Sequence, residues 1–247
     1  MRPRPALLVL LLLLAWPLHA QTPGDDLLAI QDNSFLAEEA YNQDPGVVQH
    51  ISLFTRDRDS GDWVYTFTQE WPAPSLRHQL SYSIPYAHPA GTGNIALNYR
   101  YQLLGDSKST LAIAPRLTLL LPNGDNERGV QVMLPISRVL TSRAIAHTDV
   151  GATWIAHGGG MQLNLAQSFI YAIHHRAQLM LEAAYSGGGN GGDSFVVSPG
   201  VRWSYDFTSG LQIVPGVGVP IGVGPSHGSD AVLLYLSFEH PFRHTGS

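Results

Sequence analysis

The chain has 247 residues, no cysteine, 44% hydrophobic and only 13% charged residues, and a formal net charge of −5. Without cysteine, disulfides and a lipid-modified N-terminal cysteine are both excluded. A mildly acidic balance supplies no basic field, so nucleic acid is not an expected partner.

At the start, Arg2 and Arg4 precede the apolar run ALLVLLLLLAWPL, and LHA ends at Ala20. Residues 1–20 are predicted to be a secretory signal peptide, because the run is too short to span a bilayer. Residues 21–46 follow as a separate N-terminal segment, periplasmic or folded back as a plug. Its SFLAEEAY predicts one short helical turn, and Pro45-Gly46 punctuates its end.

From Val47 onward apolar and polar residues alternate almost without pause. In GNIALNYRYQLLGDSKSTLAIAPRLTLLLPNGD (93–125), Ile95, Leu97, Tyr99, Tyr101 and Leu103 share one face of a strand. Asn94, Asn98, Arg100 and Gln102 share the other. After the turn at GDSKS, Leu111, Ile113, Leu117, Leu119 and Leu121 oppose Arg116 and Thr118. Strands are expected roughly at 47–55, 62–71, 76–88, 93–103, 111–121, 130–140, 144–156, 162–173, 177–186, 195–207, 211–222 and 231–242. That makes about twelve, each near the ~9–11 residues of a tilted membrane strand.

The connections decide between a soluble sandwich and a membrane barrel. RDRDSG, HPAGTG, PNGDNERG, HGGG, SGGGNGGD and GPSHGSD are polar or glycine-rich, and most of the connections between them are tight turns. Long loops on one side and short turns on the other are a habit of outer-membrane barrels. Trp63, Trp71, Tyr82, Tyr86, Tyr99, Tyr101, Trp203 and Tyr205 fall near strand ends on the apolar face, where interfacial girdles sit. The apolar face is therefore predicted to meet lipid. The expected fold is all-β, a closed antiparallel transmembrane β-barrel of about twelve strands over residues 47–242, with a tail at 243–247. Both termini are expected in the periplasm, and the site is the outer membrane of a Gram-negative bacterium. Outer-membrane lipid and lipopolysaccharide are then partners, as is the barrel-assembly machinery, whose signal AVLLYLSFEHPF (231–242) resembles.

NSFLAEEAYNQDPGVVQHI (33–51), GNIALNYRYQLLGD (93–106), APRLTLLLPNGD (114–125) and VPGVGVPIGVG (214–224) resemble the MetA-pathway of phenol degradation family. The resemblance implies an outer-membrane barrel with a transporter-like role.

Four motifs read as loops. GPSHG around Ser226 has nucleophile-elbow spacing but lies between two strands instead of strand and helix. GGGNGG (187–192) has no following helix to receive a pyrophosphate. RDRDSGD and NGDNE could gather oxygen ligands but read as solvated turns, so no metal or cofactor is expected. A lipid-modifying enzyme would need a serine, a histidine and an acid on the lipid face. His147 with Ser142 comes nearest and lacks the acid, so the chain is read as no enzyme.

The polar face carries the candidate site. Pairing about the GDSKS turn sets Arg100 opposite Arg116, two guanidiniums that repel unless anions intervene. Asn98, Glu70, Glu182, Arg202 and Asp206 complete a candidate lumen cluster. Glu38 and Glu39 of the N-terminal segment are the carboxylates a plug would bring to the arginines. The expected function is an outer-membrane channel or transporter for small compounds, with aromatic or apolar ones in view and the permeant unidentified. The alternative is a structural or surface-interaction barrel with a plugged lumen.

Overall fold

The computed structural model describes residue 30 and residues 32–241; the predicted signal peptide, residues 21–29 and residues 242–247 with the expected tail lie outside the described residues. The strands are β1 (Val47–Asp57), β2 (Trp63–Pro72), β3 (His78–His88), β4 (Gly91–Thr92), β5 (Ile95–Tyr101), β6 (Leu111–Ile113), β7 (Arg116–Leu121) and β8 (Gly129–Thr141). They continue with β9 (Ala144–Ile155), β10 (Gly160–His174), β11 (Ala177–Gly188), β12 (Ser194–Trp203), β13 (Tyr205–Asp206), β14 (Gln212–Gly218), β15 (Ile221–Gly222) and β16 (Ala231–Pro241). Four are fragments of neighbouring spans: β4 leads into β5, β6 into β7, β12 into β13 and β14 into β15. Twelve antiparallel spans remain. β16 pairs with β1 from Val47↔Pro241 to Asp57↔Ala231, which closes the sheet and abolishes its edges.

The faces are inverted relative to a soluble protein. Leu97, Leu117, Leu119, Val132, Leu134, Phe169, Leu181 and Leu234 are exposed on the outside. Gln49, Asn98, Thr118, Ser137, Ser168, Gln178 and Ser237 are buried inside. Such a large contiguous apolar exterior is stable only against lipid. Aromatics gather at both rims of this belt. Trp63 packs on Phe54 and Tyr86 with centroids 5.7 Å apart at one rim, and His78 bonds Tyr99 Oη at 2.6 Å at the other.

Several boundaries differ from expectation. Leu76 lies in the connection before β3, and Leu103 lies beyond the end of β5. The fifth span breaks at Ala114-Pro115 and the eleventh at Val219-Pro220, because proline brings no N–H to the ladder. SFLAEEAY forms bends, with no helical turn. The N–H groups of Leu36, Glu38 and Ala40 are drawn outward to side chains of the barrel wall and that of Glu39 to Asn33 Oδ1, which an intrasegment helix would forbid.

Six connections, at 58–62, 89–94, 122–128, 156–159, 189–193 and 223–230, lie at one end and interlock there. Asn94 Nδ2 donates to the Glu127 carbonyl at 2.6 Å, the Arg58 N–H donates to the Asp230 carbonyl at 2.8 Å, and Asn190 contacts the Gly158 carbonyl. The turns at 73–77, 102–110, 142–143, 175–176 and 207–211 share the other end with residue 46 and the close of β16.

Candidate functional site

The lumen is occupied by the chain's own residues 32–44, which cross it with bends at 35–37 and 40 and without helix or strand. A peptide without a ladder partner must satisfy its backbone groups elsewhere or lose stability. Here side chains of successive strands do so. The N–H of Leu36 donates to Glu182 Oε1 (2.9 Å), that of Glu38 to Asp149 Oδ2 (2.7 Å), and that of Ala40 to Ser137 Oγ (2.6 Å). The N–H of Asn42 donates to Gln102 Oε1 (3.0 Å) and that of Gln43 to Gln79 Oε1 (2.8 Å). The acceptors belong in turn to β11, β9, β8, the end of the β5 span and β3. The segment therefore winds around the inner wall.

Two arginines grip the carbonyls. Arg100 donates to the Glu39 carbonyl (2.8 Å), the Tyr41 carbonyl (2.6 Å) and Asn42 Oδ1 (3.1 Å). Arg202 donates through Nη1 to the carbonyls of Asp32 and Asn33, both at 2.9 Å, and through Nε to Gln178 Oε1 at 2.8 Å. Both guanidiniums are buried, and each replaces the water that a free carbonyl would bind.

Side chains of the segment are seated as firmly. The Asp32 carboxylate accepts from Gln49 Nε2, Tyr235 Oη and Ser237 Oγ, each at 2.5 Å. Phe35 lies on a wall from which side chains are missing. A Cβ built at Gly216, Gly200 or Gly218 would stand 2.5, 2.8 or 3.0 Å from its ring. Ser34 Oγ donates to Ser168 Oγ at 2.8 Å. Tyr41 Oη donates to the Ser109 carbonyl at 3.0 Å, so the long turn 102–110 serves as an anchor. In that turn, hydrogen bonds from the Ser109 hydroxyl and the Lys108 N–H hold the Asp106 carboxyl below its usual range.

The sequence-derived candidates fall as follows. Arg100 and Arg116 are cross-strand partners in the ladder. Arg116 contacts the Glu38 carboxylate and donates to Gln131 Oε1 at 2.6 Å. Glu39 meets Arg100 through its carbonyl, not its carboxylate. Asn98 accepts from Thr118 and donates to Ser81, and Glu70 accepts from Gln79 at 2.6 Å. Glu182 and Arg202 both hold the segment. Asp206 stands apart at the exposed turn end, 3.3 Å from Arg176 Nε and bonded to Gln212. His147 faces the lumen instead of lipid and bonds Ser137 Oγ at 2.7 Å. Ser226 Oγ accepts the Phe195 N–H at 2.9 Å, an ordinary loop contact.

Asp32, Phe35, Gln49, Gln79, Gln102, Ser137 and Asp149 carry much of this site and were missed in the sequence. One signal was available: Gly216 and Gly218 recur with period two on the inward face of a strand, where glycine announces close approach of another group.

Among the cavities lined by described residues, two lie on the loop side of the segment. One of about 290 Å³ is lined by Glu38, Arg116, Gln131, Asp149, Asn164 and Ser194 among others. The second, about 210 Å³, is lined by Phe35, Glu38, Thr66, Thr68, Glu70 and Arg116 among others. A smaller space of about 60 Å³ lies on the other side, against Glu39, Asp44 and Glu239.

An apolar exterior, a polar interior and twelve closed spans define a porin-type barrel. Solved structures agree on the fold. The COG4313 outer membrane channel from Pseudomonas putida F1 superposes with a TM-score of 0.59 at 12% identity, covering 81% of this chain and 97% of that one. The NanC porin gives 0.58 at 9% identity over 77% and 98%, and the KdgM porin gives 0.54 at 11% over 79% and 99%. No protein-family model matches the sequence and no curated protein matches it, so the kinship to the MetA-pathway family stands as a resemblance alone.

Proposed function

We propose that the protein is an outer-membrane channel of a Gram-negative bacterium for small solutes, gated by its own N-terminal segment, which fills the lumen and leaves it transiently. The observation that carries this reading is the way the segment is held. Its backbone bonds to side chains of the wall, with no strand ladder between them, so it can leave without breaking the barrel. Each neutral bond exchanged for water contributes only about 0.5–1.5 kcal/mol net. The cavities beside it present polar and apolar groups in roughly equal measure, which suits small solutes that carry both. The neighbouring folds carry the names porin and channel, in keeping with this role.

The test uses the chain's lack of cysteine. Ser34→Cys with Ser168→Cys places two thiols where two hydroxyls lie 2.8 Å apart. In liposomes, the reduced double variant should admit small solutes and swell, and oxidation should slow the swelling reversibly. Absence of swelling in both the reduced variant and the unaltered protein contradicts the channel. Swelling that ignores oxidation contradicts closure by the segment.

The buried grips of Arg100 and Arg202 favour a second reading, a structural barrel that stays plugged. Under it, neither redox state swells.

A further inference from the structure

On the outer face of the barrel several polar side chains are paired with one another. Thr148 Oγ1 donates to Gln167 Oε1 at 2.7 Å, Tyr82 Oη donates to Gln69 Oε1 at 2.8 Å, and His50 Nε2 lies 3.3 Å from His240 Nε2. Arg138 is not paired. It stands three residues short of the turn end of β8, between Ser137 and Val139, which are buried on the inner face, so its half-buried side chain lies on the lipid face. Among the described residues no group pairs with its guanidinium. A charge beside hydrocarbon is costly and draws its tip toward water or a counter-ion at the interface.

Two further unpartnered groups surround it. In the ladder Arg138 faces Ala146 of β9, while Ala144, next on the same face of β9, faces Tyr171 of β10. Arg138 and Tyr171 therefore flank β9 from its two sides, two strand spacings or about 10 Å across and one row apart along the strands. Only the methyl groups of Ala144 and Ala146 stand between them. Arg143 lies in the turn that enters β9, and its carbonyl accepts the Ala172 N–H at 2.8 Å, which fixes it beside Tyr171. Tyr171 is 41% exposed, and neither its hydroxyl nor the Arg143 guanidinium has a partner among the described residues. Two guanidiniums and a phenol around an alanine floor offer donors that suit a phosphate.

The charge at the two ends of the barrel agrees. The turns at 73–77, 102–110, 142–143, 175–176 and 207–211 carry Arg77, Lys108, Arg143 and Arg176 against a single acid, Asp106. The six connections at the opposite end carry Asp59, Asp62, Asp125, Glu127, Asp193 and Asp230 against Arg58 and Arg128. An anionic headgroup is thus drawn to the turn end and repelled from the loop end. Beyond Arg138 on the same face, Ile136, Leu134 and Val150 lead into the apolar belt.

We infer that Arg138, Arg143 and Tyr171 hold an anionic phospholipid of the leaflet at the turn end. Its phosphate lies between the two guanidiniums and the phenol, and its acyl chains run along Ile136, Leu134 and Val150. The site is on the outer wall, so it goes beyond the channel reading and stands or falls without it.

The experiment is native mass spectrometry of the purified full-length barrel in neutral detergent, titrated with phosphatidylglycerol and, separately, with phosphatidylcholine of the same chains. One phosphatidylglycerol should be retained at about tenfold lower concentration than phosphatidylcholine. Arg138→Gln with Arg143→Gln should erase that preference, and Tyr171→Phe should reduce it. Arg176→Gln, which removes a turn-end arginine already held by Asp206, should leave it unchanged. Equal retention of the two lipids by the unaltered barrel overturns the proposal, whether or not the variants fold. So does a preference that survives in a folded double variant, or one lost equally in Arg176→Gln, which would mark a diffuse field in place of a site. Displacement of phosphatidylglycerol by millimolar inorganic phosphate would mark a free-anion site and overturn the assignment to lipid.

Discussion

Phe35 and Gly216 are in contact because Gly216 has no side chain: a Cβ there would stand 2.5 Å from the ring's Cζ. The segment and the wall are therefore shaped for each other, and the fit can be spoiled from the barrel side. Gly216→Ala should cost about 1–3 kcal/mol of seating through overpacking. Faster proteolysis of residues 32–44, with heat-modifiability of the barrel intact, is the expected outcome. An unchanged cleavage rate would show that the ring is not what holds the segment.

The ion pair is a weaker hold than the buried arginine. Arg116 and Glu38 keep 17% and 25% of their side-chain surface exposed, so water competes for the pair. Arg202 is buried and satisfies two carbonyls and Gln178. Its charge-assisted bonds contribute about 1.5–3 kcal/mol each, and removal would strand buried acceptors. Arg202→Gln should therefore raise amide hydrogen exchange at Leu36 and Glu38 far more than Glu38→Gln does. The reverse order would contradict this ranking.

Leu119 faces outward and is 46% exposed. Leu119→Arg near the bilayer midplane should cost about 2–4 kcal/mol of barrel stability. Thr118, one residue over, faces inward but is buried and bonded to Asn98, so it is a poor control. Thr66 lines the 210 Å³ cavity and offers space. Thr66→Arg should leave folding in lipid vesicles nearly unchanged. Equal loss of folded protein in both variants would contradict the assignment of faces.

Orientation is open to direct labelling. Asp125 lies in a long loop and Arg143 in a turn at the opposite end. With loops outside, Asp125→Cys should react with an impermeant maleimide on intact cells, and Arg143→Cys only after permeabilisation. Exchange of these two behaviours would invert the barrel.

Much of the barrel was legible because a strand writes its two faces into alternate residues. The hairpin around GDSKS shows this best: period-two alternation and one turn fixed the pairing of Arg100 with Arg116. The path of residues 32–44 was not legible. An irregular peptide satisfied by Glu182, Asp149, Ser137, Gln102 and Gln79 on distant strands leaves no periodic trace in its own sequence. Its local propensity even pointed to a helical turn. Glu38 and Glu39 drew notice as charges, yet Arg100 takes the Glu39 carbonyl, a contact that any residue at that position could make. Asp32, the acceptor of three buried bonds, lies in no motif at all.

On the proposed function, residues 32–44 close a lumen that otherwise conducts. Single-channel recording in planar bilayers tests it most directly, comparing the full chain with a variant lacking residues 25–44 and retaining every strand. The deletion should open a steady pore of clearly larger conductance than the full-length protein shows. Equal conductance in a correctly assembled, heat-modifiable deletion variant would contradict it.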